Sequence, residues 1–313
     1  MAFTFDMKQI LNLLKIAISL YIVYFLFQNY KLNIVDIINF NYLIFVPIII
    51  IGFVIVLINT YRLKILLYAQ GIHFFYFKCL KINMISSLFD VVLPSSNGGD
   101  LIKVGYILKN KNISKMAGTF TTLYDRLIGF FSIFIFLLIA SIFTNLNYLT
   151  EINIIKFIVF FIVIFASFAL WISGSRRLFN LLSNFPLLHK VRLISMMNSI
   201  KKLRNNIKIL VLSLLLSLSS QALNFFNIFL IIYFFNINDI NIINFIMSCS
   251  IGLIGNIFGF AGGFGAGTFA FDYSFNNYLS IDNSLQIVLI YQFSQILIRL
   301  LGLPIFIFDH NAN

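Results

Sequence analysis

Apolar residues run along this chain in stretches of about twenty, separated by short basic or asparagine-rich connections. Full stretches occupy 10–27, 43–59, 118–143, 154–173, 209–235 and 284–308. A helix rises about 1.5 Å per residue, so roughly 20 apolar residues cross a hydrocarbon core about 30 Å thick. Six membrane spans are predicted. Two further stretches, 83–107 and 243–275, are apolar but broken. The first is interrupted by Leu93, Pro94, Ser95, Ser96, Asn97, Gly98 and Gly99, and the second by the glycines between Gly259 and Gly267. Each half of the chain therefore reads span, span, broken hairpin, span.

The breaks matter because irregular backbone at membrane depth leaves N–H and C=O groups unpaired, each at a cost of several kcal/mol. Such segments are tolerated where protein or a polar cavity surrounds them, which in transporters is where substrate binds. If each hairpin enters and leaves on one side, each half crosses three times and the second half is inverted. The expected fold is an all-α polytopic membrane protein, a single domain over 1–313 with inverted pseudo-repeats 1–150 and 151–313. Full crossing by both hairpins is the alternative, giving eight spans.

Charge supports the six-span topology. With the N-terminus inside, all but four of the 22 Lys and Arg residues fall on cytoplasmic segments, Arg62 and Lys64 among them. Lys31 and Lys156 sit outside, and Arg126 and Arg299 lie within spans. This is the positive-inside pattern, and it places both termini in the cytoplasm. It also accounts for the net charge of +12 without a nucleic-acid partner. Hydrophobic residues make up 60% of the chain and charged residues 10%, against about 25% charge in soluble domains. The first stretch lacks a small-x-small cleavage site and reads as a retained helix. Cys79 and Cys249 have no metal-ligand spacing and read as small packing residues. In the central loop, Leu193, Met197, Ile200 and Leu203 recur at helical spacing among Lys190, Lys201, Lys202 and Arg204. A basic amphipathic helix on the inner leaflet fits this pattern, as does an ordinary positive-inside loop.

Ionisable side chains within membrane segments are costly and mark function. Here they are Asp90, Asp100, Lys103, Asp125, Arg126, Asp272 and Arg299. A helix beginning at Gly98 and Gly99 would place Asp100 and Lys103 on one face, and its free N–H groups and positive end would suit a lipid phosphate. Capping of that helix is the competing role for Asp100. Arg126 could pair with Asp90 or Asp100, or hold an anionic headgroup; Arg299 lies in the corresponding span of the second half. Gly262, Gly263 and Gly265 permit close backbone approach, although small residues are also ordinary helix-packing positions in membranes. No P-loop, dinucleotide-binding glycine motif or zinc motif is present, and neither cofactor nor metal is expected.

Arg62-Leu63-Lys64, the run Leu93 to Lys103 and then Asp125-Arg126-Leu127 together resemble the lysylphosphatidylglycerol synthase transmembrane (flippase-like) family. That family shows a similar Leu-Pro, Gly-Gly-Asp and basic segment, followed by an acid–arginine pair on the next helix. The resemblance covers essentially the whole chain. It departs at the second glycine motif, where Gly267 and Thr268 stand in place of the family's glutamate and Asp272 is the nearest acid. In the family this membrane unit is sometimes fused to a soluble aminoacyltransferase. The chain here ends at Asn313, five residues past the last span, so a stand-alone membrane unit is expected.

The resemblance implies lipid handling. The expected function is translocation of an anionic, aminoacylated or polyprenyl-phosphate lipid by a transporter rather than an enzyme. The expected site is Pro94, Ser95, Ser96, Asn97, Gly98, Gly99, Asp100, Lys103, Asp125, Arg126, Gly262, Gly263, Gly265 and Arg299. The alternatives are a membrane-embedded lipid- or glycosyl-modifying enzyme, and a membrane partner that recruits a soluble enzyme through loop 174–208. Anionic membrane lipids and a separate lipid-modifying enzyme are the expected partners, and a homo-oligomer is compatible with the sequence.

Overall fold

The computed structural model describes residues 42–92, 98–109, 113–143, 190–237, 239–259, 263–281 and 283–310. All regular structure among them is helical. A single 3-10 turn, Tyr42–Ile44, leads into α1 (Phe45–Ala69). Two shorter helices follow, α2 (Tyr76–Val92) and α3 (Gly98–Leu108), and then α4 (Lys115–Phe143). After α5 (Lys190–Asn205) comes α6 (Ile207–Phe234). The remainder is α7 (Ile242–Phe258), α8 (Ala266–Leu279), α9 (Ser284–Leu300) and α10 (Gly302–His310). The order long, short, short, long occurs twice.

Four segments are long and apolar enough to cross a membrane: Phe45–Ala69, Lys115–Phe143, Ile207–Phe234 and Ser284–Phe308. They cover four of the six predicted spans; 10–27 and 154–173 lie outside the described residues. Their apolar residues continue onto the outward side, as with Leu43, Val46 and Ile50 at α1 and Val211 and Leu215 on α6. A helix apolar on all sides belongs in lipid or a large core. The chain is a multi-pass membrane protein. The hairpin helices are shorter: α3 has 11 residues and α8 has 14. At about 1.5 Å per residue neither crosses a core of about 30 Å alone, which favours broken hairpins over eight full spans.

Helix α1 corrects the predicted boundary at residue 59. It runs ten residues further, so Arg62 and Lys64 are helical rather than part of a cytoplasmic loop. The ion pair described below is what lets an arginine continue into a buried helix.

The described residues fall into two compact units. In the unit drawn from Val56–Asn83 and Lys103–Ala222, Leu63 and Leu67 of α1 pack with Cys79 and Ile82 of α2, Ile107 of α3 and Ala117 of α4. A second cluster joins Leu66 and Ala69 to Phe120, Tyr124 and Ile128 of α4 and Leu203 of α5. Leu203 and Ile200 of α5 thus face protein. Gln70 Nε2 donates to the Ser199 carbonyl at 2.9 Å, and Lys202 Nζ donates to the Gln70 carbonyl at 3.3 Å. The lysine meets the negative end of α1, where a cation is favoured.

The other unit is drawn from residues up to Ile55, Met84–Ile102 and Leu223–Asn313. Its centre is the antiparallel pair α7–α8. Asn244 Nδ2 donates to the Tyr278 carbonyl, and Ser248 and Ser274 each donate a hydroxyl to the other's carbonyl. Gly252 then faces Phe271, Gly255 faces Gly267 and Ala270, and Gly259 faces Gly263. Each step of three or four along α7 is matched by a similar step back along α8, with Gly252, Gly255 and Gly259 giving α8 room to approach. Cys249 and Cys79 are buried and free, as packing residues.

Candidate functional site

The most charged buried site lies on α1, α3, α4 and α6 in the first unit. Asp125 is 4% exposed, and Arg62 and Lys103 are each 7% exposed. Arg62 Nε donates to Asp125 Oδ1 at 2.7 Å, and Lys103 Nζ reaches Asp125 Oδ2 at 3.4 Å. Arg62 Nη1 also donates to the Ser217 hydroxyl at 2.9 Å. That hydroxyl lies 2.8 Å from Ser132 Oγ and 3.3 Å from the Ile128 carbonyl. Gly129 lies beside the guanidinium: a methyl there would stand 3.7 Å from Nη1, an ordinary contact.

Most buried hydroxyls in these helices simply return to their own helix. Thr121, Ser213 and Ser220 bond carbonyls three or four residues back. Ser217 is different, because it joins the arginine to α4. Asp125 lies ten residues into α4, about 15 Å along its axis, so the cluster sits well inside the helix rather than at its end. Two cations share one carboxylate there. Among the described residues the formal sum is one positive charge, buried and lined by hydroxyls.

The first hairpin keeps a separate arrangement. Gly99 N donates to Asp90 Oδ1 at 3.0 Å, and Ser86 Oγ donates to the Gly99 carbonyl at 2.9 Å. A methyl on Gly99 would overlap the Ser86 carbonyl and crowd the Asp90 carboxylate. Only glycine fits this approach. Asp100 lies in the first turn of α3, where an acid complements the positive helix end. The Asp90 carboxylate thus takes one N–H of the helix start that the sequence offered to a lipid phosphate. Lys103 leaves that end for Asp125.

In the second hairpin, Gly263 (φ +133°) and Gly265 (φ +83°) occupy the left-handed region that favours glycine. Asn256 Oδ1 lies against Gly263 and Gly267 and accepts from Gln292 Nε2 at 2.7 Å. Thr268, third in α8, is buried.

The predicted site residues therefore separate. Lys103 and Asp125 come together, joined by Arg62, which sequence reasoning had assigned to an inner flank. Gly98, Gly99 and Asp100 form the start of α3, and Gly263 and Gly265 shape the turn into α8. Arg126 is half-buried on α4. Arg299 lies in the last turn of α9, near its negative end. Pro94, Ser95, Ser96, Asn97 and Gly262 lie outside the described residues. Ser217 and Ser132 were missed, since serines among leucines look like ordinary helix positions. Asp90 was read as a candidate ionisable group and a candidate partner of Arg126, and the glycine pair eight and nine residues later was the signal for its capping role.

No curated protein matches the chain, and no solved structure does. The family model for the lysylphosphatidylglycerol synthase TM region matches residues 12–302. With nearly the whole chain matched, from before α1 to the start of α10, the protein belongs to the lysylphosphatidylglycerol synthase TM-region family.

Proposed function

We propose that this protein moves an anionic lipid across the bacterial cytoplasmic membrane, and that the cluster of Arg62, Lys103 and Asp125 receives the headgroup phosphate. Polyprenyl-phosphate lipids, and aminoacylated lipids, whose added amine offsets the charge but leaves the phosphate, are further candidates. One observation carries this reading: two buried cations face a single carboxylate. A cation out of water without full compensation costs several kcal/mol, and a phosphate would supply the missing charge. Lys103 is the natural contact, because its 3.4 Å bond to Asp125 is the looser of the two. Family membership agrees, since it connects the chain with lipid metabolism or transport.

The two hairpins support the two-half architecture, with pseudo-repeats 1–150 and 151–313, that such transport calls for. Helices α2 and α7 are each 17 residues long. In each, the third residue from the end, Asp90 or Asn256, sets a side-chain oxygen against the second residue of the next helix, Gly99 or Gly267. Gly98-Gly99-Asp100 opens α3 as Ala266-Gly267-Thr268 opens α8.

Binding tests the proposal directly. Purified protein is titrated with phosphatidylglycerol and with phosphatidylcholine, and bound lipid is counted by native mass spectrometry. The wild type is expected to hold the anionic lipid preferentially. Lys103→Met, which leaves the Arg62–Asp125 pair neutral and intact, should weaken that binding about tenfold or more, the scale of one charge-assisted hydrogen bond. Equal retention of both lipids, or an unchanged Lys103→Met variant, contradicts it.

A further inference from the structure

Asp272, on α8, is 3% exposed. Its Oδ1 accepts from the hydroxyl of Ser284, the first residue of α9, and from Asn276 Nδ2 at 3.2 Å, one turn further along α8. Both partners are neutral. Among the described residues no cation stands within ion-pair distance of it, whereas Asp125 has two. The sequence shows why: between Lys208 and Arg299 there is no lysine, arginine or histidine.

The elements packed against α8 supply no positive charge near it. The titratable side chain on α7 is the thiol of Cys249, and on α9 they are Tyr291 and Arg299. Arg299 lies fifteen residues beyond Ser284, about 22 Å along the helix. Helix α8 itself adds only the phenols of Tyr273 and Tyr278. A thiol or a phenol cannot become a cation. An ionised carboxylate buried in this way costs several kcal/mol unless something bound neutralises it.

A second observation lies one turn earlier. Thr268 is 1% exposed, and among the described residues its Oγ1 has no hydrogen-bond partner. Its neighbours behave otherwise: Ser250 bonds the Ile246 carbonyl, and Ser274 bonds those of Phe271 and Ser248. Buried hydroxyls are nearly always satisfied, and one that is not calls for an explanation. Thr268 and Asp272 are four apart, hence on one face of α8.

We propose that Asp272, Thr268 and Ser284 form a binding site for one monovalent cation. Carboxylate and hydroxyl oxygens are hard ligands for an alkali ion, and a single carboxylate balances a single charge. Sodium and the proton each bring the single positive charge that would neutralise the carboxylate, and the experiment separates them. The site does not depend on the lipid reading, because it is measured without lipid substrate. If both hold, cation movement through Asp272 is available to drive the lipid.

The test is thermal unfolding of the full chain in detergent. Sodium chloride is compared with N-methylglucamine chloride at fixed pH and ionic strength, and pH is then varied without sodium. The expected result is a higher Tm in sodium for the wild type. Asp272→Asn should show no sodium response and a Tm no lower than that of the sodium-free wild type, because the neutral isostere removes the buried charge. Stabilisation by acid without a sodium response, again lost in Asp272→Asn, identifies the proton as the occupant. Equal responses of wild type and Asp272→Asn to both variables overturn the proposal. Should Asp272→Asn not fold, Thr268→Val and Ser284→Ala decide: a weakened sodium or acid response in either supports the site, and an unchanged response in both refutes it.

Discussion

Asp125 holds two cations through unequal bonds, and the inequality ranks what each substitution does. Removing the carboxylate leaves Arg62 and Lys103 together, buried and unpaired. Asp125→Asn is expected to cost about 3–5 kcal/mol, the usual effect of breaking a buried pair from one side. Lys103→Met should cost clearly less, since Arg62 keeps its 2.7 Å bond. Denaturant unfolding of the three proteins in detergent checks the order, and a Lys103→Met variant less stable than Asp125→Asn would contradict it. Lys103 and Asp125 were legible in the sequence because charges inside apolar stretches stand out. Arg62 was not, because it lies three residues past an apolar stretch and next to Lys64, where it reads as a positive-inside flank. Only the distant Asp125, 63 residues on, makes it a core residue.

The hairpins are the elements on which packing decides most. A leucine at Gly252 would occupy the space of the Phe271 ring. Overpacking of this kind costs about 1–3 kcal/mol when a core can shift. Gly252→Leu is therefore expected to lower Tm measurably, while the same change at Gly105, which has no neighbour within 4 Å of a Cβ position, should be nearly silent. Equal shifts would show that the α7–α8 seam is not built as described. The glycines between Gly259 and Gly267 announced close approach in the sequence, but not which partner filled each gap. Helix α5 shows the converse limit. Its 3-and-4 spacing gave the helix correctly, yet Leu203 and Ile200 face Leu66 and Phe120 rather than lipid, because an amphipathic pattern identifies an apolar face without saying what covers it.

At the scale of the molecule, long apolar helices, broken pairs and family membership fit one account, in which a buried surplus charge meets an anionic headgroup. The fold class was readable from hydropathy alone, since only helices hold their backbone bonds internally in lipid. The cluster was not, because it joins residues from α1, α3, α4 and α6 that no local pattern links. The measurement that tests the account most directly is lipid movement in proteoliposomes. Labelled phosphatidylglycerol, polyprenyl phosphate and phosphatidylcholine are compared for wild type, Lys103→Met and Arg126→Ala, with folding verified for each. The account predicts movement of the phosphate-bearing anionic lipids over phosphatidylcholine, reduced about tenfold or more in Lys103→Met. Movement of none of the lipids, under imposed sodium and proton gradients alike, or movement of all three equally in wild type and Lys103→Met, would contradict it.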